Sequence, residues 1–128
     1  MAQILLVDDS KTMRQVLRTH LMGSGYDCLE AYSGRAALDV LSQQSIELVI
    51  SDIRMEDIDG IALTHHIRKR EDLGTRVAII LISGDHSARL RARSFLAGAD
   101  EFLAKPLDPA RLQSLVSELL MHSLPPSR

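Results

Sequence analysis

The chain has 128 residues, of which 45% are hydrophobic and 25% charged, with a formal net charge of −2. That is the balance of one globular domain long enough to bury a core. The weak net charge gives no electrostatic footprint for nucleic acid. No apolar run approaches the ~18 residues of a membrane span, and no basic segment followed by an apolar one precedes the first strand, so direct nucleic-acid binding, a membrane and a secretory route are all expected to be absent.

In chain order, Ile4-Leu5-Leu6-Val7 predicts a first strand over about residues 3–8, ending in Asp8-Asp9. A helix over about 10–22 follows, with Met13, Val16, Leu17 and Leu21 on one face and Gly23-Ser24-Gly25 as its stop. Residues 27–31 read as a short second strand, and about 34–43 as a helix turning Ala37, Leu38 and Leu41 inward. Lone Cys28 excludes an internal disulfide, reads as a small buried hydrophobe, and suits a reducing cytoplasm.

The third strand, about 47–52, ends in Asp52. A loop from Glu56 to Gly60 follows, with Gly60 free to take positive φ, and then a helix over about 60–70 buries Ile61, Leu63 and Ile67. Val77 to Ile82 is the most hydrophobic strand and is expected to be central. It runs into Ser83-Gly84. A helix over about 86–97 carries His86, Arg89, Arg91 and Arg93, read as a solvated basic face. Residues 101–104 form the last strand, ending in Lys105-Pro106. Asp108 as N-cap and Pro109 as first helical residue open a final helix with Leu112, Leu115, Val116, Leu119 and Leu120 as its stripe. Residues 1–122 are thus one domain, and 123–128 read as a linker or tail.

Five alternating strand–helix units predict a doubly wound, flavodoxin-like α/β fold with a parallel sheet in the order 2-1-3-4-5. Parallel strands present their C-terminal ends along one edge, where ligands of such sheets bind. Asp8, Asp9, Asp52, Ser83, Gly84 and Lys105 should therefore meet there. Hard carboxylate oxygens suit Mg²⁺ with a phosphate co-ligand, and a carboxylate can itself accept a phosphoryl group. Lys105 could offset phosphoryl charge, the Ser83 hydroxyl could bond to it, and Gly84 would leave it room. Each element alone is weak, since an Asp-Asp pair often only caps a strand and a lone lysine is usually surface. His65-His66 has no third ligand nearby in sequence. Phe102 reads equally as core or as a moving aromatic.

The stretches Leu5-Leu6-Val7-Asp8-Asp9-Ser10, Asp52 to Gly60, Ser83-Gly84 and Ala97 to Pro106 resemble the receiver domains of two-component response regulators, from Ile4 to about Leu120. The resemblance implies that Asp52 is the phosphoacceptor. It implies Mg²⁺, or Mn²⁺ in its place, held by Asp9, Asp52 and the backbone carbonyl of Arg54, with Asp8 acting through water. Lys105 would contact the phosphoryl group, Ser83 would swing towards it, and Phe102 would follow, switching the surface of helix 4, strand 5 and helix 5. Lys105–Pro106 would be cis, as only X–Pro bonds readily allow. Arg54 and Asp85 would tune phosphoryl lifetime by pairing across the mouth of the site. Implied partners are a sensor histidine kinase or histidine phosphotransfer protein, a downstream protein or fused output domain, and a second copy of the chain on phosphorylation. One departure is Glu56, where the family usually has proline; it predicts a more flexible, more acidic loop. A pseudo-receiver should have lost Asp52 or Lys105, and an aspartate-nucleophile phosphatase should have Asp-x-Asp and a cap. A flavin module would need stacking aromatics, which are only 3% of this chain.

Overall fold

A computed structural model describes residues 2–74 and 77–123. The strands are β1 (Gln3–Val7), β2 (Asp27–Ala31), β3 (Leu48–Asp52), β4 (Ala78–Ser83) and β5 (Glu101–Ala104). The helices are α1 (Lys11–His20), α2 (Gly34–Gln43), α3 (Gly60–Lys69), α4 (Ala88–Ala97) and α5 (Pro109–Ser123). All sheet pairings are parallel, in the order β2-β1-β3-β4-β5.

The two faces of the sheet are filled by alternate residues, because side chains alternate along a strand. Leu5, Val7, Val49, Ile79 and Leu81 pack with Ala37, Leu41, Leu63, Ile67 and Ala97 from α2, α3 and α4. Ile4, Leu6, Leu48, Ile50, Ile80 and Ile82 pack with Leu17 of α1 and with Leu112, Leu115 and Val116 of α5. A strand covered on both faces has no polar side, which is why β3 and β4 read as unbroken apolar runs ending in a polar residue.

The middle of the sheet is β3; apolar β4 lies between β3 and β5. Hydrophobicity reports burial on both faces, which β3 and β4 share, so it could not choose between them. Ser10, Ser33, Asp59 and Ser87 cap α1, α2, α3 and α4 with their side chains. Asp108 does the same for α5, accepting from Ala110 N at 3.0 Å. The α5 helix runs through Ser123, the first residue of the expected tail; the rest of that tail lies outside the described residues.

Gly60 does not take positive φ. It opens α3, and a Cβ there would stand 2.6 Å from the Asp52 carbonyl oxygen and 2.9 Å from Ile53 Cα. Close backbone approach under the strand end, rather than turn chirality, excludes a side chain at this position.

Candidate active site at the carboxyl edge of the sheet

Register brings the site together. Val7 pairs with Ser51, so Asp8 and Asp52 leave the sheet side by side. Asp52 pairs with Ile82 and Ser83 with Ala104, which sets Ser83 and Lys105 one step further along the same edge. Lys105 Nζ stands 3.4 Å from Asp52 Oδ2. A cleft of about 440 Å³ is lined by Asp52, Arg54, Ser83, Gly84, Asp85 and Lys105. The Lys105–Pro106 bond is cis.

Asp8 is the most constrained member, with 2% of its surface exposed. Its backbone N–H donates to Ala31 O at 3.1 Å, and its carboxylate accepts from Ser10 N at 2.9 Å. Burial pushes its pKa up to about 6; the Ser10 bond and Lys105 oppose the rise, and the carboxylates of Asp52 and Asp9 add to it. Asp8, Asp9 and Asp52 bring three carboxylates to one edge beside a single lysine, and this hard oxygen donor set fits Mg²⁺.

Asp9 is exposed and lines a second, adjacent cavity of about 450 Å³ with Ile53, Arg54, Met55, Glu56 and Asp59. Arg54 walls both cavities. Among the described residues, no three His, Cys, Asp or Glu side chains converge closely enough to hold a metal on their own. The three carboxylates therefore share an edge without forming a closed cage. An ion there would need carbonyl and water ligands as well, the habit of Mg²⁺ rather than of a cation caged by protein.

At the other end of the edge, Ser83 is buried and its hydroxyl oxygen accepts from Asp85 N at 2.9 Å. Its own proton stays available to an acceptor in the cleft. A Cβ at Gly84 would meet no atom within 4 Å, so open space flanks the cleft there. The Arg54–Asp85 pairing anticipated across the mouth is not formed. Asp85 Oδ1 instead accepts from Ser87 N at 2.9 Å, a bond that lowers its pKa, with a lesser contribution from the Arg54 charge.

The β3–α3 loop is more tied down than the missing proline suggested. Asp57 accepts from Gly34 N at 3.1 Å and from Arg35 N at 3.0 Å, at the N-terminus of α2. The Arg35 bond leads the causes that hold the Asp57 carboxyl down at about 2. Ile58 covers Gly34 so closely that a Cβ on Gly34 would approach Ile58 Cβ to 2.7 Å. Fixation here comes from contacts to α2 instead of from a restricted backbone torsion.

Several partners of the site were not legible in the chain. His86 Nε2 lies 2.8 Å from the Lys105 carbonyl oxygen, which can only accept, so this nitrogen carries a proton and clasps the β4–α4 loop to the end of β5. Arg91 is not merely solvated: its guanidinium lies 5.3 Å from the Phe95 ring centroid and 5.8 Å from that of Phe102. Phe102 itself is buried. Arg14 Nη1 donates to the Asp8 carbonyl at 2.6 Å. The i, i+3 and i+4 spacings along a helix give no hint of a bond from a helix to a preceding strand end. His65 and His66 are exposed on α3. Cys28 is half-buried on edge strand β2, where burial raises its thiol pKa and makes it less reactive.

Residues 4–117 match the family model of the response regulator receiver domain. The chain is 35% identical over 120 residues to the transcriptional regulatory protein ZraR of Salmonella typhimurium, covering 94% of this chain and 26% of that protein. It is 36% identical over 123 residues to the transcriptional regulatory protein AruR of Pseudomonas aeruginosa, covering 92% of this chain and 49% of that one. The chain thus spans between a quarter and a half of these curated relatives. In structure it is similar to the signal receiver domain of a signal transduction histidine kinase from Syntrophus aciditrophicus, with TM-score 0.90, 34% identity, and 100% and 96% of the two chains covered.

Proposed function

The chain belongs to the response regulator receiver family of two-component signalling, and from that premise we propose that it takes a phosphoryl group from a phosphohistidine onto Asp52. One observation carries the reading. Asp52 is a buried carboxylate at a strand end, flanked by buried Asp8 on one side and by Lys105 Nζ at 3.4 Å on the other. Such a carboxylate has a reason to be there if it serves as nucleophile and its neighbours manage charge.

In the proposed step an Asp52 carboxylate oxygen forms the new P–O bond as the P–N bond to the donor imidazole breaks. The imidazole leaves with the bonding electrons and takes up a proton. The transition state is loose and its charge lies on the equatorial oxygens, so positioning and electrostatics do most of the catalysis. Lys105 neutralises one such oxygen and the Ser83 hydroxyl donates to another. Asp9, Asp52 and the Arg54 carbonyl would hold Mg²⁺, with Asp8 acting through water, and the ion would supply positive charge to the phosphoryl oxygens. Any movement of Ser83 towards the phosphoryl group would carry along the Asp85 N–H bonded to its hydroxyl oxygen, and with it the β4–α4 loop.

The donor is a sensor histidine kinase or a histidine phosphotransfer protein in the cytoplasm. The output is a downstream protein, a fused domain or a second copy of the chain, read through α4, β5 and α5. Retention of Asp52 and Lys105 favours this reading over a pseudo-receiver. The test is intact-mass analysis after acetyl phosphate and Mg²⁺. One added phosphoryl group is expected on the parent and none on Asp52→Asn; equal labelling of both would remove Asp52 from the role.

A further inference from the structure

We infer that Arg14 is a positioning residue for the acidic end of the site, setting the main chain from which Asp8 and Asp9 project. The inference rests on the site reading above and deepens it, because it concerns how well that end receives a divalent cation.

Arg14 lies on α1, within one turn of the N-cap Ser10. Its side chain is only 14% exposed. Nη1 donates to the Asp8 carbonyl at 2.6 Å, while Nε donates to Glu30 Oε1 at 2.8 Å. Glu30 lies on β2, one residue before Ala31, whose carbonyl accepts from Asp8 N at 3.1 Å. The peptide groups on either side of Asp8 are thus both held, one by β2 directly and the other by β2 through Glu30 and Arg14. The guanidinium is a planar fork with five donors, so one group can serve a carboxylate and a carbonyl at once.

Glu30 is itself fixed. Arg18 Nε donates to Glu30 Oε2 at 2.9 Å, and Arg18 Nη2 donates to the Cys28 carbonyl at 2.9 Å. The Arg14 bond is the first cause, with Arg18 also contributing, that draws the Glu30 pKa down and keeps it charged. The two arginines share one anchor, and only Arg14 reaches the site. This asymmetry supplies a control within the same network.

Outer-shell groups that orient ligands commonly change metal affinity by 10–100-fold when removed. Arg14→Met should therefore weaken binding of Mn²⁺, the probe ion, by about tenfold in the full chain, read as free Mn²⁺ by electron paramagnetic resonance. Arg18→Met removes the second partner of Glu30 but leaves the Arg14 bonds to Glu30 and Asp8 in place, and should leave the dissociation constant within about twofold of the parent. Arg14→Lys keeps the charge but loses the fork, and should fall between parent and Arg14→Met; it decides the matter if Arg14→Met does not fold. Parent-like Mn²⁺ binding by folded Arg14→Met, or by Arg14→Lys in its place, overturns the inference. So does equal weakening by Arg18→Met, since the effect would then be general loosening of α1 on β2. A parent that binds no Mn²⁺ and takes no phosphoryl label overturns the reading of the site as well, which separates the two failures.

Discussion

The two ends of the functional edge are built differently. At the β1 end, Asp8 is buried and held through its N–H, its carbonyl and its carboxylate. At the β4–β5 end, the groups are held by fewer bonds and lie on an open cleft. The Ser83 hydroxyl accepts from Asp85 N, His86 clasps the Lys105 carbonyl, and the Lys105 side chain is 32% exposed. On the proposed function, binding a charged group and reporting its arrival would draw on both kinds of end. Fixed charge creates the demand for a cation and costs no reorganisation, while a movable end turns a new contact into a displacement.

The comparison breaks most sharply at Lys105. Lys105→Ala should stay folded, since the Lys105 side chain is partly exposed and the Asp52 carboxylate lines an open cleft that water can enter, yet lose the response of the movable end altogether. The measurement is the set of amide shifts over α4 and β5 on adding beryllofluoride and Mg²⁺. Parent-like shifts in the variant would deny Lys105 any part in coupling.

The fixed end is tested next by Asp8→Asn. Folding raises the Asp8 pKa from 3.8 to about 6, so its contribution favours the folded state at low pH and is lost as pH rises through about 6. At pH 7 in chelator the charged group costs on the order of 3 kcal/mol, and Asp8→Asn should be the more stable protein by up to that amount in urea. Excess Mg²⁺ should narrow the gap by stabilising the parent more than the variant. A variant less stable than the parent in chelator contradicts the picture of an uncompensated charge.

Arg54 stands between the two ends, walling both cavities. A guanidinium over the aspartyl phosphate should impede in-line attack by water, and each ~1.4 kcal/mol of barrier is about tenfold in rate. Arg54→Asn should lose the phosphoryl group severalfold faster, and Asp85→Ala less so because the two residues are not paired. A decay of Arg54→Asn at the parent's rate or slower removes the lid.

The smallest effect concerns Asp57. Its pKa is lowered on folding from 3.8 to about 2, so its contribution is present above about pH 4 and lost as pH falls through about 2. The group is exposed and screened, and Asp57→Asn should cost about 0.5–1 kcal/mol. The difference from the parent should be flat from pH 5 to 8 and close between about 4 and 2. A difference that grows on acidification would mean that Asp57 does not act as a charged cap on α2.

By itself the sequence determined the elements, the two-faced burial of the strands, the sheet order and the identity of Asp8, Asp52, Ser83 and Lys105 as edge residues. It could do so because alternation, capping and strand-end position are local, and because parallel connectivity sends every strand end to one edge. Tertiary structure alone decided which groups hold that edge in place. Arg14 reaches Asp8, His86 reaches Lys105, and Asp57 reaches α2 across six, 19 and 23 positions of sequence. It also turned Gly60 from a turn residue into a close-packing one, and directed Asp85 to the α4 N-terminus instead of to Arg54. Such contacts depend on strand register and helix docking, which place donors about 3 Å from acceptors and leave no periodic trace along the chain.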